Sequence, residues 1–402
     1  MTLLNLLSDA ETWEKFYKYK LSLACPKDFL KELRSFIDEK AYIHVCQNIL
    51  SGKAFPLAHK SVISKQSSLK KRTVYTYPKA ENIVLKLLTY LLLRKYDYLF
   101  SDNLFSFRPG LGAMDAIRML KKNKNLKDMY SYKVDVSNYF NSVPIDEFLP
   151  VLYDAVGEDR ELYEFLCKLL SEERTIFNGV ETIEEKGIMA GTPLACFYAN
   201  LYLKDLDEKF SKLNVSYARY SDDIILFAES KEKLSEYADI VRDTLFKKGL
   251  SVNPDKEVFF DPVDGFTFLG FSVKGGKIDI SPVSVYKLKK KMYRKTRALK
   301  RWQKRGEIEP ERAAAAFIRI FNRKLLESTG DSDLTWSYWF FSTITTSEGL
   351  HEIDIYAQEC LRYLISDKRT KARYNVRYED LKALGYKSLV HAYYDFRKEK
   401  GD

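Results

Sequence analysis

Thiol and imidazole chemistry has little material in this chain. Its 402 residues hold five cysteines and four histidines. Cys25, Cys46, Cys167, Cys196 and Cys360 are dispersed with no CxxC pair, so neither a zinc site nor a disulfide framework is expected. Scattered, odd-numbered thiols favour a reducing, cytoplasmic setting. Long apolar runs are also missing. The most apolar stretch, Ile83 to Leu93, is broken by Lys86 and is too short to span a bilayer, so no membrane partner is expected. The first residues lack a basic flank and soon meet Asp9 and Glu11, which argues against a signal peptide. There is no internal repeat, no HNH or zinc endonuclease pattern, and no RNase H-like acidic set.

Acidic residues run short in one region only. Residues 1–280 balance at 40 basic and 40 acidic, whereas residues 281–402 carry 26 basic against 16 acidic, the whole net charge of +10. A basic module joined to a neutral one points to a polyanionic partner. Hydrophobic residues at 46% and aromatics at 14% predict a globular fold with a large core.

The chain is organised around Tyr217 to Phe227. Val215, Tyr217 and Arg219 alternate with smaller residues, and Ile224 to Phe227 form an apolar return, which predicts a β-hairpin. Its tip carries Asp222 and Asp223. Adjacent carboxylates repel, and magnesium is the obvious compensating ion because it takes hard oxygen ligands. Alone, the pair is an ordinary turn. A third carboxylate, Asp135, ends the β-prone run Tyr130 to Asp135. Two strands that each deliver carboxylates can hold two metal ions for phosphoryl transfer.

These segments resemble reverse transcriptases. Asp135 with Phe140 is similar to motif A, and Tyr220-Ser221-Asp222-Asp223 to the YxDD box of motif C. Gly187 to Leu203, with Gly191-Thr192-Pro193-Leu194, Asn200 and Asp207, resembles motif B, with Ala190 where many families have Gln. Leu250 to Lys256 resembles motif D, and Phe266 to Phe271 motif E, the primer grip. Ser106-Phe107-Arg108-Pro109-Gly110 resembles the GFRPG segment of group II intron-type enzymes.

The resemblance implies an α+β right-hand polymerase: N-terminal helices and fingers over 1–130, palm motif A over 131–145, an insertion over 146–190, palm motifs B–E over 191–280, and a basic helical thumb and C-terminal region over 281–402. The palm is expected to be an antiparallel sheet with helices on one face, and residues 146–186 to be acidic and helical. The implied reaction is RNA-directed DNA synthesis from dNTPs with two Mg²⁺ per active site. Asp135, Asp222 and Asp223 are the implied catalytic and metal-binding residues, joined by Val136 as a metal ligand. Arg72, Lys71, Lys70, Phe140, Gly191 and Lys256 are the implied nucleotide-binding set, with Phe140 excluding a ribose 2′-hydroxyl and Lys256 as proton donor to pyrophosphate. Arg108, Lys289, Lys290, Arg294, Arg297 and Arg301 are expected to meet nucleic acid, and Phe268, Leu269 and Gly270 the primer end.

The NAxxH and VTG elements of retron enzymes are absent. What remains is similar to the unclassified and abortive-infection group of bacterial reverse transcriptases, and most to the class two defence-associated type. That resemblance implies anti-phage defence, with a co-encoded, structured non-coding RNA as partner and a DNA product. Two other readings stay open: a template-independent, protein-primed DNA polymerase, and an RNA-binding scaffold or maturase-like protein.

Overall fold

The computed structural model describes residues 2–23, 25–64, 71–327, 336–369 and 372–401. Chain contacts separate two units, Met1–Pro262 and Val263–Asp402. The division falls upstream of the change in charge.

In the first unit, Asp9 caps the helix Ala10–Leu21 by accepting from the Thr12 amide at 2.9 Å. This helix buries Trp13 and Phe16. Trp13 stacks on Tyr42 at 4.8 Å, and Phe16 meets Tyr90 at 5.3 Å. The N-terminal helices thereby close over the apolar helix Lys79–Lys95.

A four-stranded sheet follows, in the order β2-β1-β4-β5: β1 Ala58–Ser64, β2 Lys71–Thr76, β4 Arg174–Phe177 and β5 Val180–Ile183. The last two strands correct the all-helical expectation for residues 146–186. Helices Ile145–Val156 and Arg160–Ser171 are present, but a hairpin comes next. Its turn is Asn178-Gly179, both at positive φ (51° and 82°). That dipeptide between alternating residues is a hairpin signal in its own right. β4 then pairs in parallel with β1, so the hairpin widens the sheet.

The second sheet has the order β6-β7-β3-β8 and is antiparallel throughout: β3 Tyr130–Asp135, β6 Tyr217–Tyr220, β7 Asp223–Ala228 and β8 Val258–Phe260. Ile224 to Phe227 are all buried in β7. Ser230 caps the helix Lys231–Lys247, which packs on β3 and β7.

The second unit begins with the meander β9 (Phe266–Phe268), β10 (Phe271–Lys274) and β11 (Lys277–Ile280). Ser281 caps the 24-residue helix Pro282–Arg305, with Pro282 at its first position. Further helices include Pro310–Leu325, Glu348–Ser366 and Leu389–Lys400. Buried Asp354 accepts from the Tyr386 hydroxyl at 2.8 Å and the Leu389 amide at 3.0 Å, fixing the last helix. Phe340 and Phe341 are core, and Trp336 lies on Phe340 at 4.7 Å. Among the described residues, no helix is long and apolar enough to cross a membrane.

Candidate active site

The carboxylates come together through strand register. β3 and β7 align so that Asp135 lies opposite Asp223. β6 and β7 close on each other with Tyr220 opposite Asp223, leaving Ser221-Asp222 as a two-residue loop. The tip is therefore Ser221-Asp222, and Asp223 is the first residue of the return strand. Ser221 has φ 61°, an unfavourable value for a side chain with a Cβ. Its amide donates to the Ser106 hydroxyl at 2.9 Å, and that hydroxyl donates to Asn200 Oδ1 at 2.9 Å. Ser106, which replaces a glycine of the resembled segment, thus pins the loop. The Val136 amide donates to the Asp222 carbonyl at 3.1 Å, bringing motif A against motif C.

Behind the loop lies an ion pair with no solvent exposure. Arg219 Nε meets Asp207 Oδ1 at 2.7 Å and Nη2 meets Oδ2 at 2.5 Å. The Tyr217 hydroxyl donates to the same carboxylate at 2.9 Å. Burial presses the Asp207 carboxyl upward, and the guanidinium opposes it. Two charge-assisted bonds, and an Arg219 pKa that itself moves up, keep the pair ionised. Arg219 also donates to the Ala199, Asn200 and Ser221 carbonyls. It therefore locks the motif B helix to the motif C hairpin, a role no sequence motif announced.

Asp135 is 4% exposed and carries two partners from motif D. Lys256 Nζ forms an ion pair with Oδ2, and Asn253 Nδ2 donates to Oδ1 at 3.3 Å. The Asn253 amide also donates to the Asp135 carbonyl at 2.7 Å. Burial lowers the Lys256 pKa, but the Asp135 bond and charge outweigh it and the net shift is upward. Burial and then the Asp135 charge raise the Asp222 pKa. Asp223 is pushed up from 3.8 to about 6, first by burial and then by Asp222, against the pull of Lys133.

An open cleft of 760 Å³ gathers these groups. Asp135, Val136, Asp222 and Lys256 line it, and so do Lys71, Arg72 and Phe140. Asp223 lies outside the lining, as does Gly191, although Ala190 is part of it. Gly191 has φ 102°, and a Cβ there would come within 2.9 Å of the Tyr75 carbonyl, so glycine permits the motif B turn to meet β2. Asn141 ties the same contact. It donates to the Thr73 carbonyl at 3.2 Å and accepts from the Ala190 amide at 2.9 Å. Its place directly after Phe140 was the available signal, and sequence reasoning passed over it.

Other expected residues are placed elsewhere. Lys70 lies outside the described residues. The Arg108 side chain is 8% exposed, and its guanidinium is bound to Asp97 at 2.8 and 3.0 Å and to the Ser101 and Leu104 carbonyls. With its donors so engaged, Arg108 holds its own loop. Lys289 is paired with Glu352 at 2.5 Å and is likewise engaged within its unit. Lys290, Arg294, Arg297 and Arg301 are exposed along one helical stripe, and among the described residues none is in an ion pair. Phe268 is a buried core ring, whereas Leu269 and Gly270 form the β9–β10 tip at φ 49° and 89°.

The reverse transcriptase (RNA-dependent DNA polymerase) family matches residues 63–273. The chain belongs to the reverse transcriptase family. The match runs from β1 through β10 and takes in all three acidic residues. Among curated proteins, the retron Ec73 reverse transcriptase of Escherichia coli is 28% identical over 192 residues, 44% of this chain and 56% of that protein. The putative COX1/OXI3 intron 2 protein of Saccharomyces cerevisiae is 23% identical over 255 residues, 48% of this chain and 29% of that protein. The alignments thus span little more than half, or less, of these relatives' lengths. Among solved structures, apo telomerase from Candida tropicalis has a TM-score of 0.48 at 12% identity, covering 82% of this chain and 62% of that one. Telomerase from Candida albicans with a TWJ fragment of telomeric RNA has 0.47 at 11%, covering 95% and 69%. The family's fold is the right-hand polymerase, and the mixed helices and antiparallel sheet pairing described above agree with it.

The family implies divalent metal. Among the described residues, no three His, Cys, Asp or Glu side chains already converge as a cation cage. The donor chemistry nonetheless fits. The Asp135 charge helps raise the Asp222 pKa and the Asp222 charge that of Asp223, and Asp135 already grips a cation, the Lys256 ammonium. The raised Asp223 pKa has a stability consequence. Without metal, the folded state holds a proton between pH 3.8 and about 6 that the unfolded chain has released. This group's favourable contribution is full below 3.8 and is lost as pH rises through about 6. Asp223→Asn should therefore melt with the parent protein near pH 4 and be more stable by about 3 kcal/mol at pH 7.5. Calorimetric melts of both proteins in EDTA across that range test this, and a constant difference would refute it.

Proposed function

We propose that this chain is an RNA-directed DNA polymerase that copies a bound non-coding RNA into DNA, in anti-phage defence. The observation that carries the catalytic part is the β3–β7–β6 register, which brings Asp135 and Asp222 into one cleft with Lys71, Arg72, Phe140 and Lys256. Asp135 and Asp222, with the Val136 carbonyl, would hold two Mg²⁺, and Asp223 would reinforce their charge. When bound, such a pair lowers the barrier by stabilising the attacking 3′-hydroxyl and the leaving pyrophosphate. Lys71 and Arg72 are exposed, lie on β2 beside the cleft, and offer cationic donors to a triphosphate. Lys256, kept protonated by Asp135, is placed to give a proton to pyrophosphate. The exposed stripe Lys290, Arg294, Arg297 and Arg301 has the spacing to follow a nucleic-acid backbone. The defence role and the dedicated RNA rest on the motif resemblance to defence-associated enzymes.

Phe140 sets the choice of sugar in this reading. Its carbonyl accepts from the Ile188 amide at 2.8 Å, so a change of side chain leaves that tie intact. Phe140→Ala should raise rNTP over dNTP use by about 10–100-fold, read as a ratio of kcat/KM values. An unchanged ratio would remove Phe140 from sugar selection.

The deciding experiment is to purify the chain from its host, recover bound nucleic acid, and sequence it before and after adding Mg²⁺ and dNTPs. One structured RNA with DNA complementary to it supports the proposal. Low-complexity DNA attached covalently to the protein would instead establish protein priming. Bound RNA with no DNA made under any condition would establish a scaffold.

A further inference from the structure

A second cavity, of 690 Å³, lies in the first unit and shares no lining residue with the carboxylate cleft. It sits where the segment before β1 meets the helix Arg160–Ser171 and the β4–β5 hairpin. Its wall is aromatic. Phe55 meets Tyr77 at 5.2 Å and Phe165 at 5.6 Å, both edge-on. Lys186 closes the interior and is 4% exposed. Among the described residues, its ammonium has one hydrogen bond, a long one of 3.4 Å to the Arg174 carbonyl. Of the neighbouring carboxylates, Glu172 holds Arg174 through two contacts of 2.8 Å and Glu184 is paired with Lys60, while Glu173 acts on Lys186 through charge without a hydrogen bond to it. Burial accordingly lowers the Lys186 pKa. A buried ammonium with one weak acceptor is costly, and a buried polar group left short of partners calls for explanation. Among the described residues, the Tyr77 hydroxyl has only the Met189 sulfur at 3.7 Å. At the rim, Lys53 and Lys168 are exposed and in no ion pair among the described residues.

From this arrangement we infer that the cavity is a nucleotide-binding site separate from the polymerase cleft. An aromatic wall takes the face or edge of a base. Lys186 donates to an acceptor on that base, and the rim lysines meet its phosphate. The ligand is either a free nucleotide or an unpaired nucleotide of a bound strand, since both present this chemistry. Met189 and Ala190 directly follow the lysine's segment, and Ala190 walls the carboxylate cleft, so the two sites share one stretch of backbone. The inference does not rest on the chemistry of Asp135 and Asp222.

The test uses the whole chain and two photoprobes, a 12-nucleotide single-stranded RNA carrying 4-thiouridine and 8-azidoadenosine 5′-monophosphate. Cross-linked peptides are mapped by mass spectrometry. Label is expected on the peptides holding Phe55 or Tyr77, about ten-fold weaker in Lys186→Met and in Lys53→Gln/Lys168→Gln. It should be retained in Asp222→Ala/Asp223→Ala, which separates this site from the polymerase reading. Label from the RNA alone assigns an unpaired strand nucleotide, and label from the monophosphate a free one. Lys186→Met removes a buried charge and should melt no lower than the parent protein, and the rim variant is confined to exposed side chains. Absence of label at these peptides from both probes, or label undiminished in both lysine variants, overturns the inference.

Discussion

Asp222→Ala/Asp223→Ala should abolish DNA synthesis, by at least about three orders of magnitude, while the protein stays folded. The loss follows from the proposed role of these carboxylates. In phosphoryl transfer the protein supplies mainly position and charge, and without Asp222 the cleft lining retains only Asp135 as a proposed carboxylate ligand. The retained fold follows from the electrostatics. Both carboxyls are raised by burial and by neighbouring carboxylate charge, so at neutral pH the metal-free fold carries them at a cost. Main-chain ties hold the loop without them: the Ser221 amide on Ser106 and the Val136 amide on the Asp222 carbonyl. Primer extension under single-turnover conditions, with a melting curve on the same preparation, reads both halves. Residual synthesis within ten-fold of the parent would place the chemistry elsewhere. A collapse of the fold would show that the pair is structural.

Asp207→Ala should have the largest effect on stability, about 3–5 kcal/mol, because it strands a fully buried guanidinium. Arg219 would keep its carbonyl contacts to Ala199, Asn200 and Ser221 but lose both close contacts to its counter-charge. The Tyr217 hydroxyl would lose its acceptor as well. Replacing both charges, as in Asp207→Leu/Arg219→Met, should cost much less, since no unpaired charge remains. Calorimetry of the first unit's transition distinguishes the cases. Equal losses in the single and double variants would mean that packing, not charge, holds the motif B helix to the hairpin. Synthesis should fall with Asp207→Ala even where the protein is still folded, because the same guanidinium braces the Ser221 carbonyl beside Asp222.

Much of the candidate site was legible because its parts are local. An apolar run ending in Asp135, a hairpin ending in Asp222, and a glycine-bearing turn before a helix each carry their signal within a dozen residues. What was not legible has particular causes. The acidic character of residues 146–186 drew attention from Asn178-Gly179, a turn signal strong enough to have predicted β4 and β5. Arg108 belongs to a resembled segment, yet the carboxylate that engages it, Asp97, is eleven residues upstream in a 3₁₀ turn that gave no warning. Lys289 stands in a run of cations that look alike in sequence, and only its position facing Glu352 sets it apart from Lys290.

Residue type and local spacing by themselves determined which groups this protein has for its chemistry: three carboxylates at strand ends and a hairpin tip, a bulky ring after the first, glycines in the motif B turn, and a basic last third. Tertiary structure alone decided what each group touches. Lys256 reaches Asp135 across 121 residues, and Asn253 reaches it across 118. Ser106 meets Ser221 across 115. Lys186 is an unremarkable lysine in sequence, and the fold buries its ammonium with one long hydrogen bond. The reason is physical. Hydrophobic period and turn chemistry act over a few residues and are written locally, whereas hydrogen-bond partners, desolvation and the pKa shifts they cause depend on which distant segments the core brings together.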